Sequence, residues 1–299
     1  MAKVAAIQMA SGPNVSANLS EARRLISDAV KQGAELVVLP ENFAHMGMSE
    51  SDILGIAEDY ISDNEISDNQ QLERPKGQIQ EFLSSVSKEE KIWIVGGTIP
   101  LKAPQQSNNA TETKQSNKVL SACLLLNDQG EVVARYDKIH LFDIDLGDQG
   151  GAYNESAFTE AGDKVVVVDT PFGKLGIAIC YDLRFPELFR DMVSQGMEVL
   201  CLVSSFTATT GKAHWEVLNR ARAIENLCFV VSSAQGGYHV NGRETYGDSM
   251  IIDPWGGILD HLASGSGFAI ADIEVSHVQK IRKNFPVLEH IKLPCHLIK

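Results

Sequence analysis

Two rhythms of apolar positions alternate along the 299-residue chain. Continuous apolar runs predict strands buried on both faces: 3–10, 35–41, 92–98, 118–126, 165–169, 175–180, 199–205, 228–234, 250–253 and 268–273. Between them, apolar residues recur every three or four positions, as in Leu19, Ala22, Leu25, Ile26, Ala29 and Val30, a helical face that stops at Gly33. Ile79, Phe82, Leu83 and Val86 repeat that spacing, and 186–195 and 214–226 are further helical stretches. The turn Asn127-Asp-Gln-Gly130 joins 118–126 to a run over 132–138 and predicts a hairpin. Strands that are apolar at consecutive positions need cover on both faces, so the class is α/β. No repeat, long linker or shift of composition divides the chain, and one domain over 1–299 is expected.

Two connections stand out. The stretch 104–117 is rich in Gln, Asn, Thr and Ser and reads as a surface loop. The connection 139–162 is long, carries Gly, Asp and Glu, and is a candidate wall of a cleft.

Composition narrows the classes of function. The formal charge is −13, from 39 acidic residues against 26 Lys plus Arg, a field that repels nucleic acid and anionic membrane. A small anionic ligand therefore needs a local cation. The start of the chain lacks a signal-peptide layout and no run reaches the roughly 20 apolar residues of a membrane span, so a cytoplasmic protein is expected. Five cysteines without a C-x-x-C pair, and eight histidines without H-E-x-x-H spacing, give no metal site. The phosphate-loop, dinucleotide and G-x-S-x-G fingerprints are missing too, so kinase, dehydrogenase and serine-hydrolase readings have no support.

Three ionisable residues share one kind of address. Glu41, Lys138 and Cys180 each close a predicted strand. In layered α/β folds ligands bind at strand ends, where residues far apart in sequence converge. A carboxylate can deprotonate a thiol, a thiolate can attack a carbonyl, and an ammonium can stabilise the resulting oxyanion. Singly, each has a plainer reading: a core thiol, a charge at a helix start and a solvated strand end.

The blocks Leu39-Pro-Glu41-Asn42, Tyr136-Asp-Lys138-Ile-His140-Leu-Phe-Asp143 and Cys180-Tyr-Asp-Leu-Arg184-Phe-Pro-Glu187 resemble the signature blocks of the nitrilase (carbon–nitrogen hydrolase) superfamily. The likeness to its Nit branch continues in 206–215, 220–226 and Asp253-Pro-Trp-Gly256. It implies a four-layer α-β-β-α sandwich that forms homodimers and works without a cofactor. It also implies an amidase that cleaves the C–N bond of a small 2-oxo acid amide of the deaminated glutathione type through a cysteine thioester. Carried over by position, Glu41 is the general base, Lys138 the oxyanion stabiliser and Cys180 the nucleophile. Glu155 in Tyr153-Asn-Glu-Ser156 matches the second glutamate, with Glu160 close enough in sequence to compete. The backbone of Tyr181 would share the oxyanion, Arg184 would clamp the α-carboxylate, and Phe206, Thr209 and Thr210 would line the pocket.

Neighbouring readings stay open. An omega-amidase or N-carbamoyl amidohydrolase would use the same machinery, and a catalytically silent binding protein would use the fold alone. A cysteine–histidine hydrolase would pair Cys180 with His140 or His214, which otherwise read, with Trp215, as core or supporting residues.

Overall fold

The structure is a computed structural model that describes residues 1–60, 77–103, 117–145, 147 and 151–293. All of the polar stretch 104–117 except Asn117 lies outside those residues. In chain order the elements are β1 (Ala2–Gln8), α1 (Val15–Lys31), β2 (Leu36–Val38), α2 (Gln78–Glu90), β3 (Trp93–Val95), β4 (Ile99–Lys102), β5 (Val119–Leu126) and β6 (Val132–Asp137). A ribbon of β7 (Asp143–Asp145) and β8 (Ala152–Asn154) follows, then β9 (Thr159–Glu160), β10 (Val167–Thr170), β11 (Gly173–Ile179), α3 (Pro186–Ser194) and β12 (Val199–Ser204). The remainder is α4 (Ala208–Asn226), β13 (Phe229–Ala234), a ribbon of β14 (Gly236–Tyr238) and β15 (Glu244–Tyr246), β16 (Ser249–Ile252), β17 (Ile258–Leu262), β18 (Gly267–Ile273) and α5 (Val275–Asn284).

These strands build two large sheets. One runs β18-β1-β2-β3-β5-β4, with β6 and β9 also paired to β5; the other runs β10-β11-β12-β13-β16-β17. Alternation along single strands assigns the layers. Val4 and Ala6 of β1, Leu36 and Val38 of β2, and Cys123 and Leu125 of β5 pack into one core with Ile177, Cys201 and Val231 of the second sheet. The intervening Ala5, Ile7, Val37, Ala122 and Leu124 face α1 and α2, whose Leu25, Ile26, Leu83 and Val86 share the other core. Leu188, Phe189 and Met192 of α3 and Trp215 and Ala223 of α4 cover the far side of the second sheet. The expected α-β-β-α sandwich is therefore present.

Central strands are parallel, β1 with β2 with β3 and β11 with β12 with β13, which places their carboxyl ends together. Every residue of β12 and β13 is buried, as their unbroken apolar pattern implied. The β5–β6 hairpin forms at Asn127–Gly130, where the Asn127 carboxamide accepts from the Gln129 and Glu131 N–H groups at 2.9 and 3.0 Å.

The strand expected over 35–41 ends at Val38; the Leu39 N–H still donates to the Val95 carbonyl at 2.9 Å, and Pro40, which has no N–H to give, leads out to Glu41. Likewise 92–98 ends at Val95 and resumes as β4 after Gly96-Gly97. Gly97 has φ +60, and a Cβ there would sit 2.3 Å from the Pro40 carbonyl, so this bend and the Glu41 turn are pressed together. The connection 139–162 holds β7, β8, a 3-10 turn over Glu155–Ala157 and β9, short pieces below the length that a periodicity can register. Helix α4 begins six residues before the expected 214, since the Thr207 side chain caps it by accepting from the Thr210 N–H at 3.3 Å.

Gly211 in α4 lies against the β14–β15 ribbon, where an added Cβ would meet the Tyr246 Cβ at 2.2 Å. Alanine gains roughly 1 kcal/mol of helix propensity, but overpacking typically costs 1–3 kcal/mol. At 2.2 Å from a side-chain root the clash should win. Gly211→Ala is expected to lower stability by about 1–2 kcal/mol in denaturant melts, and a stabilised variant would refute this packing.

Candidate active site

Glu41, Lys138 and Cys180 lie just past the carboxyl ends of β2, β6 and β11 and are all buried. Glu41 is held by its backbone: its carbonyl accepts from the Gln235 side chain at 3.1 Å, and the next N–H, of Asn42, donates to Thr98 Oγ1 at 2.8 Å. Asn42 has φ +59, one of the few non-glycine types that tolerates this region. The Lys138 N–H donates to the Ser121 carbonyl at 3.0 Å and its carbonyl accepts from Gly162 at 2.8 Å. Its Nζ then reaches Glu41 Oε1 at 2.8 Å and the two oxygens of Glu155 at 3.0 and 2.9 Å. Glu155 also accepts from the Phe142 N–H at 2.7 Å, so the β7–β8 region is tied to the lysine. Between the two candidate glutamates, the structure brings Glu155 to Lys138 and puts Glu160 in β9 beside β5.

Cys180 starts a 3-10 turn, Cys180–Arg184, with φ +48, a left-handed conformation that costs a non-glycine residue of order 1–3 kcal/mol. Asp182, fully buried, holds it there. Its Oδ2 accepts from the Ile179 N–H at 2.9 Å and the Tyr136 hydroxyl at 2.7 Å. Its Oδ1 meets the His140 N–H at 3.1 Å and His140 Nδ1 at 2.7 Å. One carboxylate thus joins the lysine-bearing segment to the cysteine-bearing turn. His140 is further stacked on Phe185, 3.7 Å between ring centres, and neither it nor His214 lines the cavity at Cys180. A cysteine–histidine pair has no geometric support here.

Charges in the site are strongly coupled. Burial alone would discharge Lys138, but Glu155 and Glu41 outweigh it and hold its pKa well above the ordinary lysine value. Burial also pushes the Glu155 carboxyl up, against the pull of Lys138. The Cys180 thiol is pushed up to about 12, first by burial and then by the Glu41 charge; Lys138, Ser204 and the Ser205 backbone pull it down less strongly. Lys138 favours the thiolate, but burial and Glu41 outweigh it, and the resting group is a neutral thiol. The site therefore needs a base at the moment of reaction.

A cavity of about 350 Å³ opens on this cluster. Glu41, Lys138, Glu155, Cys180, Tyr181, Arg184, Phe206 and Thr210 line it, whereas Thr209 points outward on the first turn of α4 and does not. Arg184, expected to clamp an anion, approaches His214 Nδ1 at 3.1 Å and lies over the Phe206 and Tyr181 rings at 5.0 and 5.8 Å. Residues that no sequence pattern singled out complete the wall: Phe142 and Tyr153 around the β7–β8 ribbon, the loop His45–Ser49, and Asn241 and Arg243 between β14 and β15. Burial depresses the pKa of His45. Only the Tyr136–Asp143 block, which contains Phe142, and the tyrosine–asparagine–glutamate match at 153–155 touched any of these. Among the described residues no cluster of His, Cys, Asp and Glu could hold a metal ion, and no helix is long and apolar enough to cross a membrane.

Comparison with known proteins agrees with the geometry. The carbon–nitrogen hydrolase family model matches residues 3–283. A deaminated glutathione amidase of Synechocystis is 41% identical over 288 residues, covering 96% of this chain and 96% of that protein. The Homo sapiens protein of the same description is 33% identical over 287 residues, covering 96% of this chain and 81% of its own. Among solved structures, the C. elegans NitFhit protein superposes with a TM-score of 0.81 at 32% identity, covering 100% of this chain and 68% of its own. Saccharomyces cerevisiae Nit3, a member of branch 10 of the nitrilase superfamily, gives 0.80 at 28% identity over 96% of this chain and 94% of its own.

Two outcomes follow from the geometry. Asp182→Ala strands the Ile179 and His140 N–H groups and the Tyr136 hydroxyl, so stability should fall by about 3–5 kcal/mol in urea melts; a loss below about 1 kcal/mol would contradict the linking role. With its thiol pKa raised to about 12, Cys180 stays mostly protonated through the working range. Its alkylation by iodoacetamide, scored against Cys180→Ala, should keep climbing roughly tenfold per pH unit from pH 7 to 10. A plateau near pH 8.5 would mean an ordinary thiol.

Proposed function

The chain belongs to the carbon–nitrogen hydrolase family, and from that premise we propose that it hydrolyses a small 2-oxo acid amide of the deaminated glutathione type. The observation that carries the reading is the convergence of a buried carboxylate, an ammonium held at 2.8 Å from it and a neutral thiol on one cavity. The names of the relatives supply the substrate class, and Arg184 at the cavity wall supplies a cation for its carboxylate.

The proposed steps balance as follows. Glu41 takes the Cys180 proton as the sulfur attacks the amide carbon, and the carbonyl electron pair moves onto oxygen. Lys138 and the Tyr181 N–H stabilise that oxyanion; a donor of this kind is typically worth about 2.7–4 kcal/mol. As the C–N bond breaks, Glu41 returns the proton to the departing amine and leaves an acyl thioester. Water then gives a proton to Glu41 while its oxygen attacks the thioester carbon. The C–S bond breaks, the sulfur regains a proton, and the 2-oxo acid leaves. Lys138 keeps its charge throughout, because two carboxylates flank it. Glu155 acts by positioning that ammonium. No step calls on a metal or cofactor. The expected homodimer and cytoplasmic location are part of this reading and do not follow from any contact within one chain.

A release assay tests it, following ammonia from 2-oxoglutaramate and dipeptide from deaminated glutathione. Cys180→Ala should be inactive, Glu41→Gln and Lys138→Met should each lose ~10³-fold or more in kcat, and His214→Ala should stay within about tenfold of wild type. Equal turnover by wild type and Cys180→Ala would sink the mechanism. Faster release of ammonia than of dipeptide would move the substrate to the omega-amidase class.

A further inference from the structure

Arg243 is a cavity-lining cation that the mechanism leaves unused. It precedes β15, and its Nη2 donates to the Ser205 carbonyl at 2.6 Å while its guanidinium lies 5.4 Å over the Tyr153 ring. Its Nε is buried without a hydrogen-bond partner. Among the described residues it forms no ion pair, in a chain with 39 acidic side chains. The carboxylates on the cavity wall do not answer it: Glu41 and Glu155 are bonded to Lys138, and Glu50 is exposed. A guanidinium has five N–H donors in a fixed fork suited to a carboxylate.

The surrounding structure holds this fork in place. The Arg243 N–H donates to Asn241 Oδ1 at 2.9 Å, and Asn241 Nδ2 donates to the Gly47 carbonyl at 2.7 Å, which ties the ribbon to the His45–Ser49 loop. Below it, the buried His239 is fixed by Ser11 and Thr245 at 2.8 and 2.7 Å. Arg184 and Arg243 are also joined through ring contacts, Tyr181 to Phe142 at 5.0 Å and Phe142 to Tyr153 at 5.1 Å. The first arginine rides on the turn that carries the nucleophile; the second comes from a separate ribbon. An acyl group anchored by its carboxylate at Arg184 and placed over Cys180 leaves the Tyr153, Asn241 and Arg243 wall for the amine half of the amide.

We propose that Arg243 forms a second anion subsite, one that binds a carboxylate on the leaving-amine side of the scissile bond. The inference rests on the amidase reading above and sharpens it. The preferred substrate is an amide of a 2-oxo acid with a peptide that ends in a free carboxylate, and an amide that releases only ammonia leaves this subsite empty.

Three substrates with one acyl group separate the outcomes: deaminated glutathione, the same molecule with its terminal carboxyl converted to a primary amide, and 2-oxoglutaramate. Arg243→Gln should lower kcat/KM for deaminated glutathione by about tenfold to a hundredfold, chiefly through KM, and leave the other two within about twofold. Capping the terminal carboxyl should cost the wild type the same factor and the variant nothing. Arg243→Lys, which keeps the charge and loses the fork, should recover part of the discrimination. Equal losses on all three substrates would overturn the subsite, because Arg243 would then serve the acyl carboxylate or the fold. No loss on any of them would overturn it as well. If the wild type turns over none of the three, the amidase reading itself fails and the inference falls with it.

Discussion

A lysine ammonium with 2% of its side chain exposed lies between two carboxylates, and the chemistry of the cleft depends on that arrangement. Burying one charge costs several kcal/mol, and removing one member of a buried pair typically costs 3–5 kcal/mol more. The cluster exists because Lys138 meets Glu41 at 2.8 Å and Glu155 at 2.9 Å. Glu41 and Glu155 flank a single ammonium beside a desolvated thiol. Burial first and the Glu41 charge next hold Cys180 in its protonated form. In the proposed reaction the same carboxylate that raises the thiol pKa takes its proton when a substrate carbonyl arrives.

Asp182 provides a second constraint of a different kind. It takes no direct part in the charge cluster, yet its two oxygens connect Ile179, Tyr136 and His140 and so bind the end of β11 to the segment after β6. Cys180 keeps a backbone conformation that an isolated peptide would leave, since the Ile179 N–H is fixed on one side and the Phe185 N–H bonds to the Asp182 carbonyl at 3.0 Å on the other. Strain at Cys180 is thus sustained by hydrogen bonds within five residues and by one long-range carboxylate. Its own burial first and the Asp182 charge next push the Tyr136 hydroxyl well above its ordinary pKa.

The rest of the cavity wall is built differently from the charge cluster. Arg184 travels with the Cys180 turn, but Phe142, Tyr153, Asn241 and Arg243 come from around two short ribbons whose strands have three residues each. Such pieces carry too few alternations to announce themselves. The Thr209 expectation failed for a related reason: at the start of a helix, adjacent threonines point in different directions, and Thr207 and Thr210 took the inward positions.

The sequence by itself determined the layered class, the long buried strands and the three blocks carrying Glu41, Lys138 and Cys180, because apolar runs and strand-end polar residues are local patterns. It left Glu155 and Glu160 undecided and gave no sign of Arg243. Tertiary structure decided both, since whether a carboxylate meets a lysine 17 residues away, or an arginine enters a cavity built by other elements, depends on how separate strands and ribbons pack. It also decided the protonation of Cys180, a balance of burial and neighbouring charge that exists only once Glu41, Lys138 and the sulfur share one dry space.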